Sequence, residues 1–330
     1  MFGMLFKKIS ILIISTVISL LIIEIALRFL GYLPWSYISS DNPSIYGVNE
    51  KLGWKSKKGF YEIKASEKHN IISKINILDE GNRVVKIDNI NKDKIIVIGG
   101  SFSQGWGVDD EETFSFKIQK KLDNYKVKNF GQGGYGTVQS YLLLEDVLKN
   151  NSDVKLIIYG FIDHHEYRNV ARGEWLELLL KYSNINFSSP PKVPYALIDK
   201  NNRIIFHEPV SYLRLPFREN LSLITLIEKS YMKITTKRRK KQQKKILINL
   251  VYKMNELAKL SEAKFLFVNL HSNIEEHKKD LLKSNINFVD CNLALTNEFL
   301  VKGNYHPNAK AHDYYGKCIS DLIIKKKLLF

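Results

Sequence analysis

The sequence predicts an α/β chain: a three-layer α/β/α domain around a mostly parallel five-stranded sheet, carried behind one N-terminal transmembrane helix. Three observations carry this expectation. From residue 94 onward, short apolar runs alternate with turn-rich loops and helical periodicity, the pattern of a doubly wound sheet. The runs are apolar at successive residues, as strands buried on both faces are. The N-terminal segment is apolar over a length that crosses a bilayer.

The anchor comes first. After Lys7 and Lys8, residues Ile9 to Ile23 carry no charge, and the apolar character resumes from Ile25 to Trp35 around Arg28. The preceding lysines place the N-terminus in the cytoplasm and the remainder across the inner membrane as a single-pass protein, with Trp35 and Tyr37 at interface depth. No Ala-x-Ala closes the segment, and it exceeds the roughly 7–15 apolar residues of a signal peptide, so an uncleaved anchor is expected over residues 1–34. Glu24 stands at the junction; pairing with Arg28 one turn later, or a place near the outer interface, would account for it.

Residues 35–93 read as an extracytoplasmic stalk, strand-like at Tyr61 to Lys64 and Arg83 to Ile87. The segment holds too little Gly, Pro and Ser for a flexible tether and is expected to pack on the main domain, residues 94–330. There, strands are expected at Lys94 to Ile98, Val127 to Phe130, Val154 to Tyr159, Lys264 to Leu270 and Ile286 to Val289. Helices are expected at Glu111 to Leu122, Val138 to Leu148, Lys244 to Leu260 and Ala309 to Ile324. Pro190, Pro191 and Pro194 interrupt a less regular stretch, read as an insertion or lid at about 170–245 with an edge strand at Arg203 to Phe206.

Apolar residues make up 45% of the chain and charged residues 25%, a globular composition. The net charge is +16. Part of it lies in Lys237, Arg238, Arg239, Lys240, Lys241, Lys244 and Lys245. This run reads as a solvated lysine face or, beside a membrane, as a seat for an anionic lipid or surface polymer. Nucleic acid is not an expected partner. An extracytoplasmic domain permits Cys291 and Cys318 to pair, and the sequence leaves that open.

In open α/β sheets the site lies beyond the carboxyl ends of the strands. The first strand delivers Ser101. The second delivers Gly131, Gly133, Gly134 and Gly136, the third Asp163, His164, His165 and Glu166, and the C-terminal part Asn304 and His306. A serine, a glycine-rich backbone and a histidine are the parts of acyl transfer: nucleophile, oxyanion donors and base. Gly131 to Gly136 spells GxGxxG. However, it follows the second strand, and Asp153 precedes its strand rather than ending it, so no dinucleotide cofactor is expected. His164, His165 and Glu166 are of zinc-ligand type, but adjacent histidines seldom both point inward, and no metal is expected.

Val97-Ile98-Gly99-Gly100-Ser101-Phe102-Ser103-Gln104-Gly105-Trp106-Gly107-Val108 resembles the first block of the SGNH (GDSL-like) hydrolases. Asn129-Phe130-Gly131-Gln132-Gly133-Gly134-Tyr135-Gly136-Thr137 resembles their second block, and His306-Pro307-Asn308-Ala309 their last. Gly53-Trp54 and Ile75-Asn76 look like a membrane-anchored subgroup. The resemblance spans roughly residues 70–330. It implies a flavodoxin-like sheet order, Ser101 as nucleophile, His306 as base, and Gly134 with Ser101 as backbone oxyanion donors.

Three departures stand out. Gly100 occupies the place of the block's aspartate. Ile162, in Gly160-Phe161-Ile162-Asp163, replaces an asparagine that donates to the oxyanion; such a donor is typically worth roughly 3–4 kcal/mol. Gly303 and Asn304 stand where the aspartate behind the histidine belongs. His164, His165 or Asn169 could replace the donor, and Asn304, Asp163 or Asp290 could orient His306. The implied function is a membrane-anchored extracytoplasmic serine esterase or acyltransferase for small acyl esters, such as O-acetyl groups of a surface glycan. The alternative is a catalytically degenerate glycan- or lipid-binding protein using the same cleft.

Overall fold

The computed structural model describes residues 2–38, 42–66, 68–85, 93–182, 191–283 and 285–329. Helix α1 (Phe2–Phe29) leads into two antiparallel hairpins, β1 (Tyr46–Asn49) with β2 (Gly53–Ser56), and β3 (Gly59–Ser66) with β4 (Ile71–Ile77). The central unit follows as β5 (Lys94–Gly99), α2 (Ser101–Gln104), α3 (Phe114–Lys121), β6 (Lys126–Asn129), α4 (Thr137–Lys149), β7 (Val154–Ile162) and α5 (His164–Asn169). Next come α6 (Gly173–Lys181), β8 (Val193–Ile198), β9 (Ile204–Val210), α7 (Ser222–Lys237) and α8 (Gln243–Leu260). The chain closes with β10 (Lys264–His271), α9 (Glu275–Lys283), β11 (Asn287–Asp290) and α10 (Ala309–Lys325).

The five-stranded sheet runs β11-β10-β7-β5-β6, and every pairing in it is parallel. Residues alternate between its two faces, which explains why the strands read as continuous apolar runs. Ile96 and Ile98 join Leu144, Leu250 and Met254 under α4 and α8. Ile95 and Val97 join Phe114, Ile118, Tyr315 and Ile319 under α3 and α10. Strand β6 lies on one side of β5 and β7 on the other, so the crevice of the switch point opens beyond the end of β5. Cys291, just past β11, is disulfide-bonded to Cys318 on α10.

Arg83 is not part of a strand; it makes single bridges to Ile77 and Asn129, and residues 86 and 87 of the expected strand lie outside the described residues. Its side chain is fully buried and spends all its N–H groups. It bonds Asp110 Oδ1 at 2.7 Å and the carbonyls of Gln104, Gly105, Val108 and Lys74. Those carbonyls bind the turn after Ser101 to β4. Removing one partner of a buried ion pair leaves the other charge uncompensated. Arg83→Met is therefore expected to cost about 3–5 kcal/mol of unfolding free energy, read from urea titration of the full chain in detergent.

Residues 170–245 hold more regular structure than their sequence suggests. β8 and β9 form a separate hairpin, and α6 and α7 are helices with no expected counterpart. Helix α7 escapes the usual reading because its polarity is inverted. Ser222, Thr225, Glu228, Met232 and Thr236 face the domain, while Ile227, Tyr231 and Ile234 face outward. Trp35 is buried against the domain, its ring 3.6 Å from the Arg218 guanidinium.

Candidate active site

Ser101 opens α2 directly after β5, with only 8% of its surface exposed. Gly99 (φ +144°) makes the turn possible, because a Cβ there would lie 2.6 Å from the Gly160 carbonyl oxygen. His306 sits in the loop before α10. That loop is fixed by the Val301 N–H donating to the His306 carbonyl and by Asn308 capping α10 at Ala311.

His306 Nε2 lies 3.0 Å from Ser101 Oγ, and His306 Nδ1 lies 2.6 Å from Asn304 Oδ1. The direction of each proton follows from the far end of the chain of contacts. Asn304 Nδ2 donates to the Ala65 carbonyl oxygen at 2.5 Å. A carbonyl only accepts, so the amide must face it and Oδ1 must face the ring. His306 Nδ1 therefore carries the proton, Nε2 presents its lone pair, and the Ser101 hydroxyl donates to it. Burial and the positive charge of Arg168 depress the His306 pKa from 6.5 to about 4, keeping the ring neutral.

Asp163 and Asp290 stand elsewhere. The Asp163 carboxylate is more than half exposed, 3.7 Å from His164 Nε2, and Asp290 Oδ1 accepts from Asn269. Both line a cleft of about 300 Å³ with His271 and Ser272. The packing disfavours an aspartate at both 303 and 304. Gly303 has φ +77°, and a Cβ there would meet His69 and Ser66 at 2.7 Å. At 304 a carboxylate would face the Ala65 carbonyl without a hydrogen to offer it.

The glycine-rich loop is braced by the first hairpin. Trp54 Nε1 donates to the Gly133 carbonyl at 2.9 Å, Gly133 N–H donates to Tyr46 Oη, and the Tyr135 hydroxyl bonds the Trp54 carbonyl. Gly134 has φ +82°, and any Cβ there would press on Trp54 and Trp175. Among the described residues, no protein acceptor is recorded for the N–H of Gly134 or of Ser101. Ile162, the last residue of β7, is buried in an apolar cluster, and its side chain has no hydrogen to donate.

Of the residues that could replace the missing donor, Asn169 is committed at both ends, to Val138 N–H and Thr137 Oγ1. His164 is half-exposed beside Tyr167. His165 is fully buried, with Nδ1 on the Tyr159 hydroxyl at 2.7 Å. Its Nε2 has no partner among the described residues and lies 2.6 Å from where a Gly100 side chain would begin. Burial and Arg168 hold it neutral. His165 thus fills the space that a side chain at position 100 would need.

Sequence reasoning passed over Arg168, Arg83 and Ala65. Arg168 is buried, donates to the Tyr135 carbonyl at 3.0 Å, and stacks 4.4 Å over Trp175, between the Gly100 turn and the Gly136 loop. Its place on α5, directly after the third-strand loop, was the available signal. Among the described residues, no cluster of His, Cys, Asp or Glu is placed to hold a metal.

The site has the arrangement of a serine–histidine–asparagine relay at the switch point of a parallel α/β sheet. No family model matches the chain, and no curated protein matches it. Among solved structures, the chain is similar to a member of the lipolytic protein G-D-S-L family from Veillonella parvula DSM 2008. That likeness has 12% identity and a TM-score of 0.40, over 72% of this chain and 99% of the other. It is similar to TesA at 11% identity and a TM-score of 0.42, over 72% and 99%. A candidate lipolytic protein of the G-D-S-L family from Desulfitobacterium hafniense DCB-2 gives 13% identity and a TM-score of 0.40, over 70% and 99%. Among the described residues, one helix, Met4–Phe29, is long and apolar enough to cross a membrane.

Proposed function

We propose that the chain is a membrane-anchored serine esterase or acyltransferase acting on small acyl esters outside the cytoplasmic membrane, with O-acetyl groups of a surface glycan as the substrate class. The observation that carries this reading is the Ser101–His306–Asn304 relay, at 3.0 Å and 2.6 Å. Ser101 Oγ attacks the ester carbonyl as His306 Nε2 takes its proton. His306 then returns that proton to the leaving alkoxide, and water or an acceptor hydroxyl resolves the acyl-serine by the same route. The Ser101 and Gly134 N–H groups receive the oxyanion. The Arg168 charge beside them supplies part of what the family asparagine would. Asp163, by its position, serves the neighbouring cleft rather than the base.

Lys7 and Lys8, ahead of the uncharged run Ile9 to Ile23, favour an N-terminus inside and the catalytic domain outside. The Cys291–Cys318 disulfide supports an oxidising compartment.

The test is labelling of the full chain by a fluorophosphonate, with Ser101→Ala as control. Ser101-dependent labelling is expected. A folded protein without it favours the binding-protein reading, which Ile162 motivates.

The base works only when neutral, so its pH dependence is a further check. The acid limb of kcat/KM for p-nitrophenyl acetate is expected near pH 4 rather than 6.5. The same depressed pKa has a stability consequence. Between 6.5 and about 4 the unfolded chain binds a proton that the native chain does not, so the His306 contribution is full above 6.5 and is lost as pH falls through that window.

A further inference from the structure

Glu24, which a membrane span should not contain without reason, does more than pair with Arg28. Its Oε1 accepts from Ser222 N–H at 2.9 Å and its Oε2 from Leu223 N–H at 3.1 Å. Those are the first two N–H groups of α7, whose own preceding residue, Leu221, offers no side-chain cap. The carboxylate of the anchor thus serves as the missing N-cap, where the helix dipole also favours it. Arg28 bonds Glu24 at 2.7 Å and reaches the Asn220 carbonyl at 2.7 Å. Of α1, Glu24 is buried and Leu27 half-buried, while Ile9 to Ile23 remain outside the domain, so α7 crosses the anchor at this point rather than running along it.

The inverted polarity of α7 gains its meaning here. Leu223, Ile224, Ile227, Tyr231 and Ile234 make an outward stripe about 100° wide at the helical repeat. Ile227, Tyr231 and Ile234 are 46%, 53% and 71% exposed. The domain-facing side is instead polar, with Glu228 paired to Arg218 at 2.9 Å. Phe217, Phe29, Leu30 and Leu33 extend the apolar surface towards the anchor, each more than two-thirds exposed. Lys233, Lys237 and Arg238 lie beside or just beyond the stripe.

We infer that α7 is an interfacial helix, lying in the outer headgroup region of the same bilayer that α1 crosses, with its basic flank on anionic lipid. The occupant is a lipid surface because the stripe is continuous with the anchor and is edged by cations, the composition of helices that lie in an interface. The inference rests on α1 being membrane-crossing. It fixes the domain against the membrane by two elements instead of one tether, so the Ser101 cleft holds a set orientation to the surface.

The test uses the full chain in nanodiscs of phosphatidylethanolamine and phosphatidylglycerol. Single nitroxides are placed at Ile227→Cys, Ile234→Cys, Ile14→Cys in the anchor, and Lys317→Cys on α10, and collision with oxygen and with a water-soluble nickel complex is measured. The labels at 227 and 234 are expected to meet the nickel complex about tenfold less than the label at 317 while keeping full contact with oxygen. Nickel contact at 227 and 234 equal to that at 317, with 14 in hydrocarbon, overturns the inference and leaves the anchor standing. Shielding from both reagents assigns the stripe to a protein partner and also overturns it. Nickel contact at 14 removes the anchor reading itself.

Discussion

Ser101→Ala is expected to lower hydrolysis of p-nitrophenyl acetate by about 10⁴–10⁶-fold, and adding His306→Ala is expected to change little further. The reason is that neither group acts alone. A serine hydroxyl is a weak nucleophile until its proton has somewhere to go, and His306 Nε2 stands 3.0 Å away to take it. Without Ser101, His306 has no hydroxyl to activate. Without His306, the hydroxyl keeps its proton at neutral pH. What remains in the double variant is binding and the two backbone N–H groups. The measurement is kcat/KM for both single variants and the double variant in the full chain. Losses that multiply would mean that serine and histidine do not work as one unit, and the relay would not be the catalytic device.

The sheet was legible because parallel strands buried on both faces leave uninterrupted apolar runs, as in Ile95 to Ile98 and Phe265 to Val268. The approach of His306 to Ser101 was legible because strand-end loops collect chemistry, and their blocks resemble a known family. Three features were not legible, each for a physical reason. Helix α7 hides because its apolar stripe faces away from the domain, so a search for a core-facing stripe reads it with the wrong sign. Arg83 hides because four of its five hydrogen bonds go to backbone carbonyls, which carry no sequence signature. Ala65 hides for the same reason: its contribution is a carbonyl oxygen, delivered by a hairpin far from Asn304 along the chain. The side chain at 304 then looks like a defect until that carbonyl is in view.

Asn304 gives the second large effect, and its sign depends on Ala65. Asn304→Ala is expected to cost about 10³–10⁴-fold in kcat, because His306 loses the acceptor that holds its ring and its tautomer. Replacing a triad aspartate by asparagine is costly in serine proteases because the amide leaves the histidine in the wrong tautomer. That cost does not arise here. The Ala65 carbonyl claims Nδ2 at 2.5 Å and leaves Oδ1 for His306 Nδ1 at 2.6 Å. Asn304→Asp therefore restores a charge but removes the donor to Ala65, setting two oxygens against each other. It is expected to be slower than the parent chain despite matching the family residue. The carboxylate should at the same time stabilise the imidazolium, so the acid limb of kcat/KM should move up from about pH 4, whereas Asn304→Ala should leave it in place. A faster Asn304→Asp variant would show that the asparagine is merely a weakened aspartate and that the Ala65 contact does not select it.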